Sequence, residues 1–297
     1  MPTKKRRSLV VTSIIFSRNR PAQLDLTLKT IAKNFDQCTN IIVVYNIDSE
    51  YVDAYKALKQ EHSNVDWRRQ TGNFYKDVFH CCSALDCQND FVCLLTDDCI
   101  VYNQVPDLSR PLSILQKQQT VSCISLRLGM NINSRQIDNQ IINDSPKLPI
   151  YEDDTKTWII FNHFQNCYGS YWCYPVSVDG TIYTRGRLKK MLQELVVLNN
   201  HYSGWHQNPN DLEAHLQRFI AVDSGHSTIA PFVSCVFNSP NNRVQTSHGN
   251  RSGDWYDQSA EFLLNKFNQG KRIKFEKLEI PKISCPHTEI NLREGLQ

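Results

Sequence analysis

Residues 91–102, "FVCLLTDDCIVY", decide how the fold is read. Phe91, Val92, Cys93, Leu94 and Leu95 are apolar without a break, which suits a central strand covered on both faces. Thr96, Asp97 and Asp98 interrupt the run, and Ile100 and Val101 resume it. Two adjacent carboxylates repel each other and cost free energy to desolvate. A pair of them at the tip of the most hydrophobic strand needs a reason.

Upstream, Leu9 to Phe16 ("LVVTSIIF") reads as a first strand. After "SRNRP" comes a helix with Leu24, Leu28, Ile31 and Phe35 at helical spacing. Ile41 to Tyr45 is a second buried strand, followed by a helix over Tyr51 to Gln60 and a short strand over Val65 to Arg68. A helix over Phe74 to Leu85, with Phe74, Val78, Cys82 and Leu85 on one face, leads into Phe91. Strands alternating with helices imply right-handed crossovers and a largely parallel sheet. Ligands of such sheets bind at the carboxyl ends of the strands. Asp97 and Asp98 therefore face a crevice and not the core.

Downstream the pattern is less regular. A helix over Pro111 to Gln118 leads to "VSCISLRLG", and the polar stretch from Asn131 to Asp154 has little periodicity, as in functional loops or partly disordered segments. "WIIFNHF" and "YWCYPVSVDGTIYTR" read as strand pieces, "GRLKKMLQELVVL" as a helix and "IAPFVSCVFN" as one more strand. "NPNDLEAHLQRFI" is a helix with Asn208 as N-cap, Pro209 at its first position, and Leu212, Leu216 and Ile220 inward. The tail after Pro281 is expected to be extended and docked on the surface. No internal repeat is visible.

With 297 residues, 40% hydrophobic and 21% charged, the chain is globular in composition and long enough for a substantial core. A formal charge of +3 and the lack of a basic, aromatic-rich face argue against nucleic acid as a partner. The basic run Lys4-Lys5-Arg6-Arg7 reads as a solvated tail. No stretch approaches the ~20 apolar residues of a membrane span, and no signal peptide opens the chain, so a soluble, cytoplasmic protein without an integral membrane segment is expected. Eleven cysteines at irregular spacing suit buried thiols better than a disulfide framework.

A carboxylate pair at a strand end can hold a hard divalent cation with phosphate oxygens completing its shell. It can also divide acid and base work, or cap a turn through backbone N–H groups. The first half resembles a GT-A glycosyltransferase, of the broad group that includes the family-two enzymes. "IIFSRNRPAQLDLTLKTI" (Ile14 to Ile31) is similar to their opening strand, polar turn and first helix. "IIVVYN" followed by Asp48 is similar to the strand whose end holds the nucleotide base, and "FVCLLTDDCIVY" to the strand carrying the DxD-type motif. "YPVSVDGTIYTRGRLKKML" resembles the acceptor-side segment, and "NDLEAHL" stands in the place of the base-bearing helix. The similarity covers roughly residues 9 to 240, and the order of its short motifs carries more weight than any one of them.

The resemblance implies an α/β, Rossmann-like, mostly parallel central sheet flanked by helices, with a less regular acceptor-side half. It implies one GT-A-like domain over 1–297: a nucleotide-sugar-binding half at about 9–130, an acceptor-binding half at about 131–280, and a tail at 281–297. The implied donor is a nucleoside diphosphate sugar with Mn2+ or Mg2+, and the implied acceptor is a carbohydrate. Asp98 would be the metal ligand, with His248 in "TSHGN" as a late second ligand and His226 as its rival. Asp97 would contact ribose or sugar hydroxyls, and Asp48 the base or ribose. Arg18, Arg20 and Lys76 would add positive charge near the phosphates, and Ser17 is a further cofactor-binding candidate.

Glu213, with Asp211 as alternative, would act as catalytic base. Trp158, Tyr168, Tyr171, Trp172, Tyr174 and Trp205 supply aromatics for an acceptor groove, although most aromatic side chains serve the core. Two departures stand out. Thr96 and Cys99 fit the acid-x-acid motif only loosely, and Asp211-Leu212-Glu213 replaces the usual Glu-Asp pair. A sugar-nucleotidyltransferase would want an early glycine-rich loop, which "SRNRPAQ" lacks, and a dehydrogenase its G-x-G-x-x-G. A catalytically silent carbohydrate-binding protein of the same fold is the non-enzymatic alternative.

Overall fold

The computed structural model describes residues 9–85, 90–137, 140–145, 150–152, 155–162, 170–201, 208–221, 227–247, 249, 251–256 and 258–297. The first half of the chain forms β1 (Val11–Arg18), α1 (Pro21–Asn34), β2 (Cys38–Asn46), α2 (Val52–Glu61), β3 (Asp66–Arg69), α3 (Phe74–Ala84), β4 (Phe91–Thr96), β5 (Cys99–Val101), α4 (Ser109–Lys117) and β6 (Val121–Ser125). The rest adds β7 (Ser134–Ile137), β8 (Gln140–Asn143), β9 (Ile150–Glu152), β10 (Trp158–Asn162), β11 (Thr181–Thr184), α5 (Arg185–His201), α6 (Pro209–Ala221), β12 (Ser227–Pro231), β13 (Val236–Asn238) and α7 (Ala260–Asn268).

A nine-stranded sheet runs in the order β3-β2-β1-β4-β11-β6-β12-β10-β9. Only β11 and β10 run against the others, so the sheet is mostly parallel and flanked by helices, the α/β architecture expected. The chain builds outward from β1 through β2 to β3, then returns to the far side of β1 as β4. That reversal opens a crevice between the carboxyl ends of β1 and β4, where α/β sheets bind ligands.

The unbroken apolar run of β4 now has its cause. Phe91, Cys93 and Leu95 pack on the face covered by α1, α2, α4 and α7. Val92 and Leu94 pack on the opposite face with α3, α5 and α6. Both faces are dry, so no alternation is needed. Leu24, Leu28, Ile31 and Phe35 of the first helix are buried as their spacing predicts. Yet α1 also buries polar residues: Thr27 and Thr30 meet β5, Gln23 meets Asn242, and Asp25 meets Lys29 and His62. Thr27 Oγ1 lies within hydrogen-bonding reach of the carbonyls of Asp97 and Cys99, and Asn34 donates to Val101 O. These bonds satisfy polar groups that burial would otherwise penalise.

Four local readings change. The predicted single strand "IAPFVSCVFN" is two, β12 in the main sheet and β13 paired with β5, because the chain leaves one sheet to cover α1. The 131–154 stretch contains the β7–β8 hairpin and β9, elements too short and polar for a period to register. "YWC" is a 3-10 turn rather than strand. β1 ends at Arg18, two residues beyond the apolar run, because Ser17 and Arg18 still pair with Tyr45 and Asn46. The C-terminal tail docks as expected: Asn238 N donates to Pro286 O and Thr288 N to Asn238 O, and Ile290 and Leu292 are buried. The nine described cysteines are free thiols. No helix among the described residues is long and apolar enough to cross a membrane.

Away from the crevice, Asp25, Glu61 and His62 approach closely enough to suggest a metal cluster. Their charges are already matched. Asp25 Oδ2 takes Lys29 at 2.6 Å and Oδ1 takes His62 at 2.8 Å, while Arg272 holds both oxygens of Glu61. Burial pushes Asp25 up, but the hydrogen bonds from His62 and Lys29 outweigh it and hold the carboxyl below its usual range. This is a paired network joining α1, α2 and the segment after α7.

Candidate active site

A cleft of about 670 Å³ lies over the carboxyl ends of β1 and β4. Its floor comes from Ser17, Arg18 and Arg20 after β1 and from Thr96, Asp97 and Asp98 after β4. Asp179 before β11, Glu213 of α6, Asn238 of β13 and His287 of the tail close it from the second half.

The two adjacent acids have different environments. Asp97 is 3% exposed and its carboxylate is used inside the protein. Ser17 Oγ and Arg18 N donate to Oδ2, both at 2.9 Å, and Arg20 Nη1 donates to Oδ1 at 3.0 Å. The Tyr55 hydroxyl contacts Ser17 Oγ, so the β1–α1 turn is built around Asp97. Burial pushes the Asp97 carboxyl up to about 6; Arg20 opposes that push and Asp98 adds to it. Arg20 also meets Asp98 Oδ2 at 3.0 Å. One guanidinium thus offsets the repulsion that made the pair costly. Arg20 is itself held by Nε donation to Asn242 Oδ1 at 2.9 Å and by contact with the Asn242 carbonyl.

Asp98 faces a third carboxylate that lay outside the sequence-based candidates. Thr96 Oγ1 is 2.7 Å from Asp98 Oδ1 and 3.0 Å from Asp179 Oδ1, but a hydroxyl has one proton and satisfies only one of them. Asn238 Nδ2 donates to the same two oxygens at 3.1 and 3.0 Å. Asn238 Oδ1 is buried and has no hydrogen-bond partner among the described residues. Four carboxylates (Asp97, Asp98, Asp179 and Glu213) therefore gather around two guanidinium groups, those of Arg20 and Arg127. Of these, Asp98 and Asp179, with the orphaned Asn238 amide oxygen beside them, are oxygen donors of the kind a hard divalent cation takes.

Arg127 supplies the second cation from inside the core, at 2% exposure. Its Nη2 donates to Tyr174 O at 2.9 Å, its Nη1 lies 3.4 Å from Asp179 Oδ2, and its Nη2 lies 3.9 Å from Glu213 Oε1. Burial, then the Asp179 charge, pushes Glu213 up to about 8, with Arg127 pulling the other way. A carboxyl titrating near neutrality and facing a cleft is suited to proton transfer. Burial also lowers His287, whose ring leans on Tyr171 with centroids 5.6 Å apart, so it faces Asp179 and Asp98 as a neutral imidazole.

Not every sequence candidate reaches the cleft. Ser17, Arg18, Arg20, Asp97, Asp98 and Glu213 line it. Asp211 is not among the lining residues; its N–H is capped by Asn208 Oδ1 and its carbonyl accepts from His215. Lys76 is exposed on the first turn of α3, away from the lining. Asp48 is exposed beyond β2 and is held by Asn19, whose φ of 53° suits the left-handed turn there. His248, His226, Tyr168 and Trp205 lie outside the described residues. Of the predicted groove aromatics, Tyr171 and Tyr174 line the cleft, while Trp158 and Trp172 are core.

Sequence reasoning missed Asp179, Arg127, Asn238 and His287. Arg127 carried a usable signal, a lone charge inside the apolar run "ISLRLG", since a buried charge requires a partner. Asp179 precedes Gly180, whose φ is +83° and whose carbonyl accepts from Leu126 N. A side chain at 180 would meet Val236 at 3.1 Å. Gly180→Ala is therefore expected to cost ~1–2 kcal/mol from the left-handed backbone alone. A urea melt reads this as a lower midpoint at unchanged slope; an unchanged midpoint contradicts it.

No family model and no curated protein matches the chain. Solved structures resemble it at low identity. The 4-diphosphocytidyl-2C-methyl-D-erythritol synthase of Anaerococcus prevotii is 12% identical over 88% of this chain and 97% of that one, with a TM-score of 0.43. Residues 1-349 of TarS from S. aureus are 15% identical over 76% of this chain and 58% of that one, at 0.42. A cytidylyltransferase from Leptospira borgpetersenii is 12% identical over 62% and 63%, at 0.34. Scores this low carry no argument about the chemistry of the cleft.

Proposed function

We propose that the protein is a metal-dependent glycosyltransferase that moves a sugar from a nucleoside diphosphate sugar to a carbohydrate or other hydroxyl acceptor. The observation that carries this reading is the convergence of Asp98 and Asp179 on one Thr96 hydroxyl and one Asn238 amide at the β1–β4 reversal. Asp98 would hold the divalent cation, Mn2+ or Mg2+, which when bound neutralises the departing diphosphate as a Lewis acid. Arg18 and Arg20 add positive charge on the β1 side. Asp97 orients Ser17 and Arg20 for that task. Glu213 takes the proton of the acceptor hydroxyl, and its raised pKa suits a base working near neutral pH.

A thermal-shift screen of UDP, GDP, CDP and their sugars, with and without Mn2+, tests the reading. A ligand that binds only the folded state raises its stability by RT ln(1 + [L]/Kd). A metal-dependent shift with one base is expected; none with any nucleotide would overturn the proposal. Manganese-dependent donor hydrolysis then separates an active enzyme from a silent binding protein. Pyrophosphate release from a nucleoside triphosphate and a sugar phosphate would instead identify a nucleotidyltransferase.

Asp48 sits on the same edge of the sheet, one strand beyond β1, and we place the base or ribose beside it. A crystal soaked with the preferred nucleoside diphosphate is expected to show the base within one side chain's reach of Asp48. Density for the base elsewhere, with metal at Asp98, rejects that placement.

A further inference from the structure

We propose that Trp255 and Tyr256 form a stacking platform for the sugar rings of the acceptor at the mouth of the cleft; this rests on the glycosyltransferase reading for what is transferred, but not for what is bound. Trp255 is 62% exposed and Tyr256 39% exposed, and they are adjacent in the chain. Large aromatic side chains left in water cost hydration free energy unless something covers them.

The backbone beneath them is fixed. Glu289, from the C-terminal tail, accepts three consecutive N–H groups: Asp254 on Oε1 at 2.9 Å, and Trp255 and Tyr256 on Oε2 at 2.9 and 3.1 Å. Gly253 N donates to Pro240 O at 2.9 Å, and Arg251 pairs with Asp254 at 2.8 Å. A loop held this way presents its rings without a large ordering cost on binding, which is how rigid aromatic sites gain affinity.

The loop is continuous with the transfer site. Arg251, Asp254 and Glu289 all line the cleft that holds Asp98 and Glu213. Its chemistry selects a carbohydrate. A pyranose offers an apolar C–H face to an aromatic ring and a rim of hydroxyls to neighbouring charged groups, and this loop carries its two exposed aromatics just after Arg251 and Asp254 in the chain, which line the cleft with Glu289. Two side chains are far less than the ~800 Å² per partner of a standard protein interface.

The test is binding of a glycan array of hexose, hexosamine and deoxyhexose chains without nucleotide, followed by calorimetric titration of the strongest binder. Wild-type protein is expected to bind, and Trp255→Ala to bind about tenfold more weakly, the upper range for one aromatic contact. Trp255→Phe should recover most of that loss. An unchanged melting temperature of Trp255→Ala shows that the fold is kept, as expected for an exposed side chain. Absence of glycan binding by the wild type, or binding by Trp255→Ala and Tyr256→Ala as tight as the wild type's, overturns the platform. So does sedimentation showing a dimer that Trp255→Ala dissolves. Trp255-dependent glycan binding without any nucleotide shift would keep the platform and reject the transferase reading. Nucleotide shifts without glycan binding would do the reverse.

Discussion

Asp98→Asn is expected to erase the Mn2+-dependent thermal shift produced by the preferred nucleoside diphosphate. With ligand at about 100 times Kd, binding stabilises the wild type by ~2.7 kcal/mol, a rise of roughly 5 °C for a chain of this size. The asparagine keeps an oxygen for Thr96 and for the Asn238 amide. It loses the charge that a hard cation requires. Arg20 still has Asp97 at 3.0 Å, so the β1–α1 turn should survive and the ligand-free melting temperature should move little. A full manganese-dependent shift in Asp98→Asn would show that the cation is held elsewhere.

Glu213→Gln should lower turnover by ~10²-fold or more, the usual worth of a positioned base, with little change in donor affinity. Two pH profiles follow from the same group. As a base it must be ionised, so wild-type turnover should rise with pH through about 8. Its effect on stability has the opposite direction. The folded carboxyl is raised from 4.5 to about 8, so between those values the native state binds more protons than the unfolded state. Stability attributable to Glu213 therefore falls as pH rises across that window and is flat above it. Glutamine cannot ionise, so the melting temperature of Glu213→Gln relative to wild type should climb from pH 5 to pH 8. Near-normal turnover in this variant would pass the role to Asp211, although Asp211 is not among the cleft-lining residues. Near-normal turnover in both variants would remove α6 from the mechanism.

The legible part of the site was the part written in consecutive residues. Ser17, Arg18 and Arg20 follow one apolar strand and Asp97 and Asp98 follow another, so the sheet edge and its charges could be read together. Glu213 was reachable because Leu212 and Leu216 mark the buried side of its helix. The illegible part depends on pairings across the chain. Asp98 and Asn238 are 140 positions apart and meet only because β13 pairs with β5. Arg127 and Glu213 approach through folding of two segments that share no local pattern. Asp97 has both carboxylate oxygens engaged by the β1–α1 turn, the turn-capping reading that the acid pair left open beside ligand binding and that spacing alone could not assign to one acid.

What the sequence determined by itself is the alternation of buried strands and amphipathic helices, and hence a mostly parallel sheet with two acids at a strand end. Hydrophobic periodicity and strand-end polarity are local properties, and local spacing reports them. Only the tertiary structure decided the strand order that turns this end into a crevice and the second-half residues that enclose it. It also decided that Arg20 bridges both acids, that Ser17 and the Arg18 N–H engage Asp97, and that Asp98 is set beside Asp179. Those outcomes depend on long-range register and desolvation, where a carboxylate's environment is set by side chains far away in the chain.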